Sequence, residues 1–201
     1  MEFYGLEKLS LVDFDGHIAC TLFSKGCNFK CPFCHNSFLV LPEISVDPVP
    51  FDDILSYLKK RSGVLDGVVI TGGEPTLMPD LVGKLSAIKE LGYDIKLDTN
   101  GTNPELLQHL IDEGLLDYVA MDIKNSEKEY AKTTNCKVLN LENVKKSIKI
   151  LINSQISSEF RTTLVREFHS VKSIKEMCEL VKGAKKLYLQ KFVDREGVIQ
   201  K

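Results

Sequence analysis

Gly67-Val68-Val69-Ile70-Thr71-Gly72-Gly73-Glu74-Pro75-Thr76 is a β-branched run that stops on two glycines. Valine, isoleucine and threonine favour a strand, and paired glycines end it in a turn. A helical pattern, Pro79–Leu91, follows. Asp80 falls in its first turn, where a carboxylate suits the helix dipole, and Gly92 ends it. A second strand pattern, Tyr93–Asp98, comes next. Strand, helix and strand in this order make one βα crossover unit.

The unit recurs on both sides. Further strands read at His17–Ser24, Tyr118–Ile123, Ser158–Val165 and Lys186–Phe192. Further helices read at Phe51–Arg61, Pro104–Glu113, Leu141–Ser154 and Ser173–Gly183. Asn103 is placed to cap a helix that begins on Pro104, and Gly114 follows its end. The spacing is that of βα crossovers, about 25–30 residues, so the expected class is α/β with a parallel sheet. A closed eightfold barrel takes about 250 residues. A chain of 201 fits a partial (β/α)6 barrel with a parallel six-stranded sheet better, with an open doubly wound sheet as the alternative. Leu9–Asp13 adds an antiparallel edge strand, and Leu39–Pro50, with three prolines, reads as a loop. No linker or low-complexity segment divides the chain, which is expected to be a single domain over residues 1–201.

Composition narrows the function classes. A net charge of -2 gives no basis for a nucleic-acid or acidic-membrane surface. No apolar stretch has the length of a membrane span, and no basic-then-apolar leader opens the sequence, so a cytoplasmic protein is expected. Six cysteines in such a chain point to metal binding or catalysis rather than a disulfide framework. Cys20, Cys136 and Cys178 lie far apart and read as ordinary thiols. The lysines of 145–149 and 182–186 read as solvated helix faces, or as a surface for a partner or an acidic electron donor. His109 and His169 read as surface residues.

In a parallel sheet the site lies at the carboxyl ends of the strands. After His17–Ser24 come Cys27, Cys31 and Cys34, a C-x3-C-x2-C pattern within eight residues. A closed zinc site or fully ligated iron–sulfur cluster wants four protein ligands, so three thiolates leave one coordination position open. Pro32 argues for a loop around the metal rather than a continuous helix. Two other readings of the residues stand: a zinc site completed by His35 or Glu74, and a glutaredoxin-type pair, Cys31-Pro32-Phe33-Cys34. Gly72 and Gly73 let backbone approach a ligand, and their carbonyls with Glu74 suit an ammonium group. Asp98-Thr99-Asn100-Gly101, Met121-Asp122-Ile123-Lys124 and Gln190 end the other strands.

The cysteine loop, with an aromatic before its last cysteine, and a Gly-Gly-Glu-Pro turn about forty residues on resemble the radical S-adenosylmethionine (SAM) superfamily. The resemblance implies one [4Fe-4S] cluster on Cys27, Cys31 and Cys34, with SAM chelated to the open iron. It places the adenine near Phe33 and the methionine ammonium on Gly72, Gly73 and Glu74. Lys96–Gly101 and Met121–Lys124 look like the corresponding strand ends of the glycyl-radical-enzyme activases. There Lys124 matches the lysine for the SAM carboxylate and Asp122 the aspartate for the ribose, with Asp98 and Asn100 alongside. The Asp98-Thr99 and Met121-Asp122 pairs also resemble a monovalent-cation site of such an activase. Cys-Pro-Phe-Cys-His-Asn, Arg161-Thr162-Thr163 and Tyr188–Phe192 look most like the activases of anaerobic ribonucleoside-triphosphate reductase, with Arg161 and Gln190 reaching SAM or the substrate peptide.

The implied partners are a glycyl radical enzyme as protein substrate and a flavodoxin- or ferredoxin-like electron donor. Two alternatives follow: a radical SAM enzyme on a small pterin, like 7-carboxy-7-deazaguanine synthase, and a zinc-stabilised binding module. A ferredoxin-like insertion and a lid from a longer tail are not expected.

Overall fold

A computed structural model describes residues 2–194 and 198–199. Its seven strands form one sheet in sequence order: β1 Gly5–Ser10, β2 Ala19–Ser24, β3 Gly67–Gly72, β4 Asp94–Thr99, β5 Tyr118–Asp122, β6 Ser157–Leu164 and β7 Leu187–Lys191. β1 pairs antiparallel with β2, and every other pair is parallel. β1 and β7 are the two edges, so the sheet does not close. The helices are α1 Ser37–Val40, α2 Phe51–Arg61, α3 Leu81–Lys89, α4 Pro104–Asp112, α5 Tyr130–Thr134, α6 Leu141–Asn153 and α7 Val171–Leu180. None of the helices among the described residues is long and apolar enough to cross a membrane.

Side-chain alternation divides the sheet into an apolar face and a polar one. Cys20, Leu22, Val68, Ile70, Ile95, Leu97, Val119, Met121 and Phe160 all belong to the main core, which also takes in residues of α2, α3, α4, α6 and α7. The intervening positions carry Thr21, Lys96, Asp98, Asp122, Glu159 and Arg161. Burying that many aliphatic side chains on one face stabilises the fold by about 1.5–3 kcal/mol each. A small second cluster, Phe14, Ala19 and Val69 with Tyr118, closes the polar face at the strands' amino ends. A Cβ on Gly67 would lie 2.8 Å from the Phe14 ring, so this plug requires glycine there.

Several expectations shift by a few residues, each for a local reason. The antiparallel edge strand lies at Gly5–Ser10 rather than Leu9–Asp13, because the Ser10 hydroxyl accepts from the Val12 and Asp13 amides and turns the chain there. The helix read from Pro79 starts at Leu81, with Asp80 as its N-cap residue. The last helix starts at Val171 rather than Ser173, because Ser170 and Ser173 form a reciprocal capping box, and it ends at Leu180. Leu39 and Val40, read as loop, end α1, and α5 lies in a segment given no element.

Candidate active site

The cysteine loop is held by its neighbours' backbone. Gly26 N–H donates to the Leu39 carbonyl (2.8 Å), and Glu74 N–H donates to the Gly26 carbonyl (2.8 Å). Gly73 N–H donates to the Ser24 carbonyl (2.9 Å), and Lys30 N–H to the Thr134 carbonyl of α5 (2.9 Å). A Cβ on Gly73 would lie 2.0 Å from the Gly26 carbonyl oxygen, and one on Gly72, at φ +112°, 2.5 Å from that of Ser24. The absent Cβ atoms therefore accommodate the cysteine loop itself. Asn28, Asn36 and Thr102, which sequence reasoning missed, brace it further together with Asn100. Asn36 Nδ2 donates to the Gly72 carbonyl (2.8 Å), and Asn28 Nδ2 to Thr102 Oγ1 (2.8 Å). Asn100 Nδ2 donates to Asn28 Oδ1 (2.8 Å) and lies 3.9 Å from Cys27 Sγ.

Cys27, Cys31 and Cys34 line one cavity of about 290 Å³, together with Gly72, Gly73, Glu74, Asp98, Asn100, Asp122, Lys124, Arg161, Gln190 and Phe33. The structure thus brings every candidate site residue to one place. Cys20 is buried in the core, Cys136 is half-buried and Cys178 is exposed on α7; none of them lines the cavity. Burial pushes the Cys27 thiol up to about 12, with the Glu74 carboxylate adding to the effect. Burial likewise raises Cys31, to about 11, against the pull of Lys124. Iron binding would displace these protons, since the thiolate is the ligand.

Glu74 is fully buried and heavily used. Its Oε1 accepts from Thr76 N–H (3.1 Å), the Thr76 hydroxyl and the Thr99 hydroxyl (2.7 Å); its Oε2 accepts from Asn100 N–H (2.7 Å). It fastens the end of β3 to the end of β4. His35 donates from Nε2 to the Val193 carbonyl (2.8 Å) and stacks on Phe192, with centroids 5.4 Å apart. Both residues considered as a fourth zinc ligand are therefore engaged elsewhere. Among the described residues no three His, Cys, Asp or Glu side chains are gathered closely enough for one ion. Phe33 packs edge-on against Phe192 (6.5 Å) and tilted against Phe168 (5.8 Å).

Opposite charges alternate across the cavity floor and below it. Lys124 Nζ sits 2.9 Å from Asp122 Oδ2; Arg161 Nε is 3.1 Å from Asp122 Oδ1, and its NH2 is 3.3 Å from Asp98 Oδ2. Lys96 Nζ lies 4.0 Å from Asp98 and 3.8 Å from Glu159, donates to the Asp13 carbonyl (2.6 Å), and Glu159 accepts from the Tyr118 hydroxyl (2.7 Å). Burial opposes ionisation of Asp122, but Lys124 and Arg161 outweigh it and bring its pKa from 3.8 to about 2. Burial also works against the charge on Lys124, yet Asp122, with Cys31 adding, raises its pKa. Burial raises Asp98 despite Arg161 and Lys96. Asp98 Oδ1 is buried without a hydrogen bond and faces Lys96 Nζ at 4.0 Å. His169, read as a surface residue, is half-buried and donates from Nε2 to the Lys124 carbonyl (2.9 Å), which fixes the backbone behind that lysine.

A folded-state pKa of Asp122 below its ordinary value means stability present above pH 3.8 and lost as the pH falls through about 2. Asp122→Asn should lower the stability of the metal-free protein by about 1.5–3 kcal/mol at pH 7. The gap between variant and wild type should close towards pH 2, read by thermal unfolding at each pH.

The donor set fits a cluster plus a charged ligand: three thiols without a protein fourth, beside the cations Lys124 and Arg161. Comparison with known proteins agrees. The family model for the radical SAM superfamily matches residues 21–181. A protein of Methanocaldococcus jannaschii, provisionally named a glycyl-radical enzyme activating enzyme, is 34% identical over 96% of this chain and 80% of its own length. The 7-carboxy-7-deazaguanine synthase of Thermococcus kodakarensis is 29% identical over 82% of this chain and 70% of its own. Among solved structures, Streptococcus suis SuiB bound to S-adenosylmethionine superposes with a TM-score of 0.65 at 18% identity. That match covers 88% of this chain and 41% of SuiB, and at such identity it shows the fold.

Proposed function

The chain belongs to the radical SAM superfamily and its activase branch, and from that premise we propose that it converts a glycine of a partner glycyl radical enzyme to a radical. The family implies a [4Fe-4S] cluster and SAM. When bound, the cluster would supply one electron and SAM the group that takes up a hydrogen atom from the glycine α-carbon.

The chain's own residues hold, orient and enclose. Cys27, Cys31 and Cys34 would ligate three irons. Lys124 and Arg161 would hold the methionine carboxylate. The Gly72 and Gly73 backbone, on the turn that Glu74 fastens to β4, would take the ammonium, and Asp98, Asp122 and Asn100 the ribose hydroxyls. Phe33 would flank the adenine, and Gln190 would face the substrate. Arg161 already places a positive charge between Asp98 and Asp122, so a monovalent cation there would share its carboxylates with the guanidinium. The electron donor would be flavodoxin- or ferredoxin-like, and the partner anaerobic ribonucleoside-triphosphate reductase.

The observation that carries the reading is the joint placement of three thiols and the Lys124–Asp122–Arg161 array on one cavity of an unclosed sheet. The test is anaerobic. Cluster-loaded protein with dithionite should convert SAM to 5'-deoxyadenosine, and adding the reductase should produce a glycyl doublet in electron paramagnetic resonance. SAM cleavage without a doublet would remove the activase reading. The likeness to the deazaguanine synthase supports a second reading, a small pterin as substrate. Mass spectrometry after incubation with a pterin substrate separates the two.

A further inference from the structure

β7 has one partner. It pairs with β6 through Phe160–Leu187 to Leu164–Lys191, and no strand among the described residues lies beyond it. The Lys186 carbonyl accepts from Phe160 N–H (3.0 Å), and Phe192 N–H donates to the Leu164 carbonyl (3.1 Å). Backbone polar groups alternate sides along a strand, so the even-numbered residues face β6. Leu187, Leu189 and Lys191 then turn their N–H and C=O groups to the free edge. The described part of the tail does not cover that edge. Val193 meets His35, and Ile199 N–H reaches the Cys34 carbonyl (3.3 Å), so these two residues contact the cysteine loop.

What suits such an edge is extended backbone, because only another strand satisfies a row of alternating donors and acceptors. The surroundings narrow the choice. Tyr188 and Leu189 are nearly half exposed, and Lys185, Lys186 and Lys191 are exposed beside them. Two copies of this chain would bring like charges together along that edge, whereas an acidic segment would be attracted. The edge also runs into the active cavity. Gln190 lines the cavity, and so does Thr163, its register partner on β6. A strand added beyond β7 would lie about 4.8 Å away, and its residue beside Gln190 would face the cavity. Glycine at that position would present an α-carbon without a Cβ in the way.

We infer that β7 is the docking edge for the substrate protein, which adds an extended, acidic, glycine-containing segment as an eighth strand and so places the glycine beside Gln190. The inference rests on the activase reading. Its test uses the full, cluster-loaded chain and intact anaerobic ribonucleoside-triphosphate reductase. Leu189→Pro removes an edge N–H and leaves the bonds to β6 in place. It should cleave SAM within about twofold of wild type yet yield at least about tenfold less glycyl radical, as expected when a strand pairing is lost.

Amide hydrogen exchange on the wild-type protein gives a second readout that no variant can disturb. Adding the reductase should slow the Leu189 and Lys191 amides at least about tenfold and leave Tyr188 and Gln190 unchanged. Full activation by Leu189→Pro, or edge amides indifferent to the reductase, would overturn the edge while the activase reading stands. Wild-type protein that cleaves SAM but forms no glycyl radical would overturn the activase reading and the edge with it.

Discussion

Cys31→Ser should lose its iron and its SAM cleavage together. Cys31 is buried, lines the cavity with two other thiols, and has Lys124 near enough to lower its pKa against burial. A serine hydroxyl fills nearly the same space but is a poor ligand for iron in a cluster, which prefers thiolate. Three thiols are already the minimum for a cluster with one open iron, so two cannot hold it. The expected result is 5'-deoxyadenosine formation at background and iron near zero per chain. Cys20→Ser and Cys178→Ser are the matched controls. The first should cost stability, because it puts a hydroxyl in the apolar core, and the second should cost nothing; both should keep the iron. Full iron in Cys31→Ser would remove the ligand assignment.

Gly73→Ala should have the next largest effect, and for a mechanical reason. The added methyl would meet the Gly26 carbonyl oxygen at 2.0 Å, with the Gly26 carbonyl carbon at 2.7 Å. Both are backbone atoms, so no rotamer change relieves the clash. The Glu74 N–H to Gly26 bond would have to open, and the loop that begins at Gly26 would move as one piece. Overpacking of this kind costs about 1–3 kcal/mol or more. The expected outcome is a denaturant midpoint lowered accordingly, and reconstitution with iron reduced by at least about tenfold. Gly83→Ala is the control, because nothing lies within 4 Å of its added Cβ. A Gly73→Ala protein of unchanged stability and iron content would show that the loop has more freedom than its contacts imply.

The parallel strands and most helices follow from local signals that survive folding. The β-branched runs stop on glycines or polar residues, and Asn103-Pro104 opens α4, where the Asn103 side chain accepts from the Leu106 amide. The same signals place the cavity, since the cysteines, Glu74, Asp98 and Lys124 sit at the ends of those runs. Less local features escaped. Asn28, Asn36 and Thr102 act through bonds that span 36–74 residues, for which a sequence window holds no cue. The charges beneath the cavity look like solvated strand residues until the topology stacks Lys96 against Glu159. His169 lies 45 residues from the carbonyl it supports. The Ser170–Ser173 capping box is local, yet its second partner is serine rather than the usual glutamate or glutamine, so it is easily passed over.

The near-contact of Gly73 with Gly26 also bears on engineering. The sulfur-bearing segment and the diglycine corner interlock like a tenon in its mortise, so they form one transplantable module. A chimera that receives this chain's Lys25–Asn36 stretch but carries a bulkier residue in the place of Gly73 should accept no iron, however faithful its cysteine spacing. Grafting both segments together is the smallest exchange that preserves the seat.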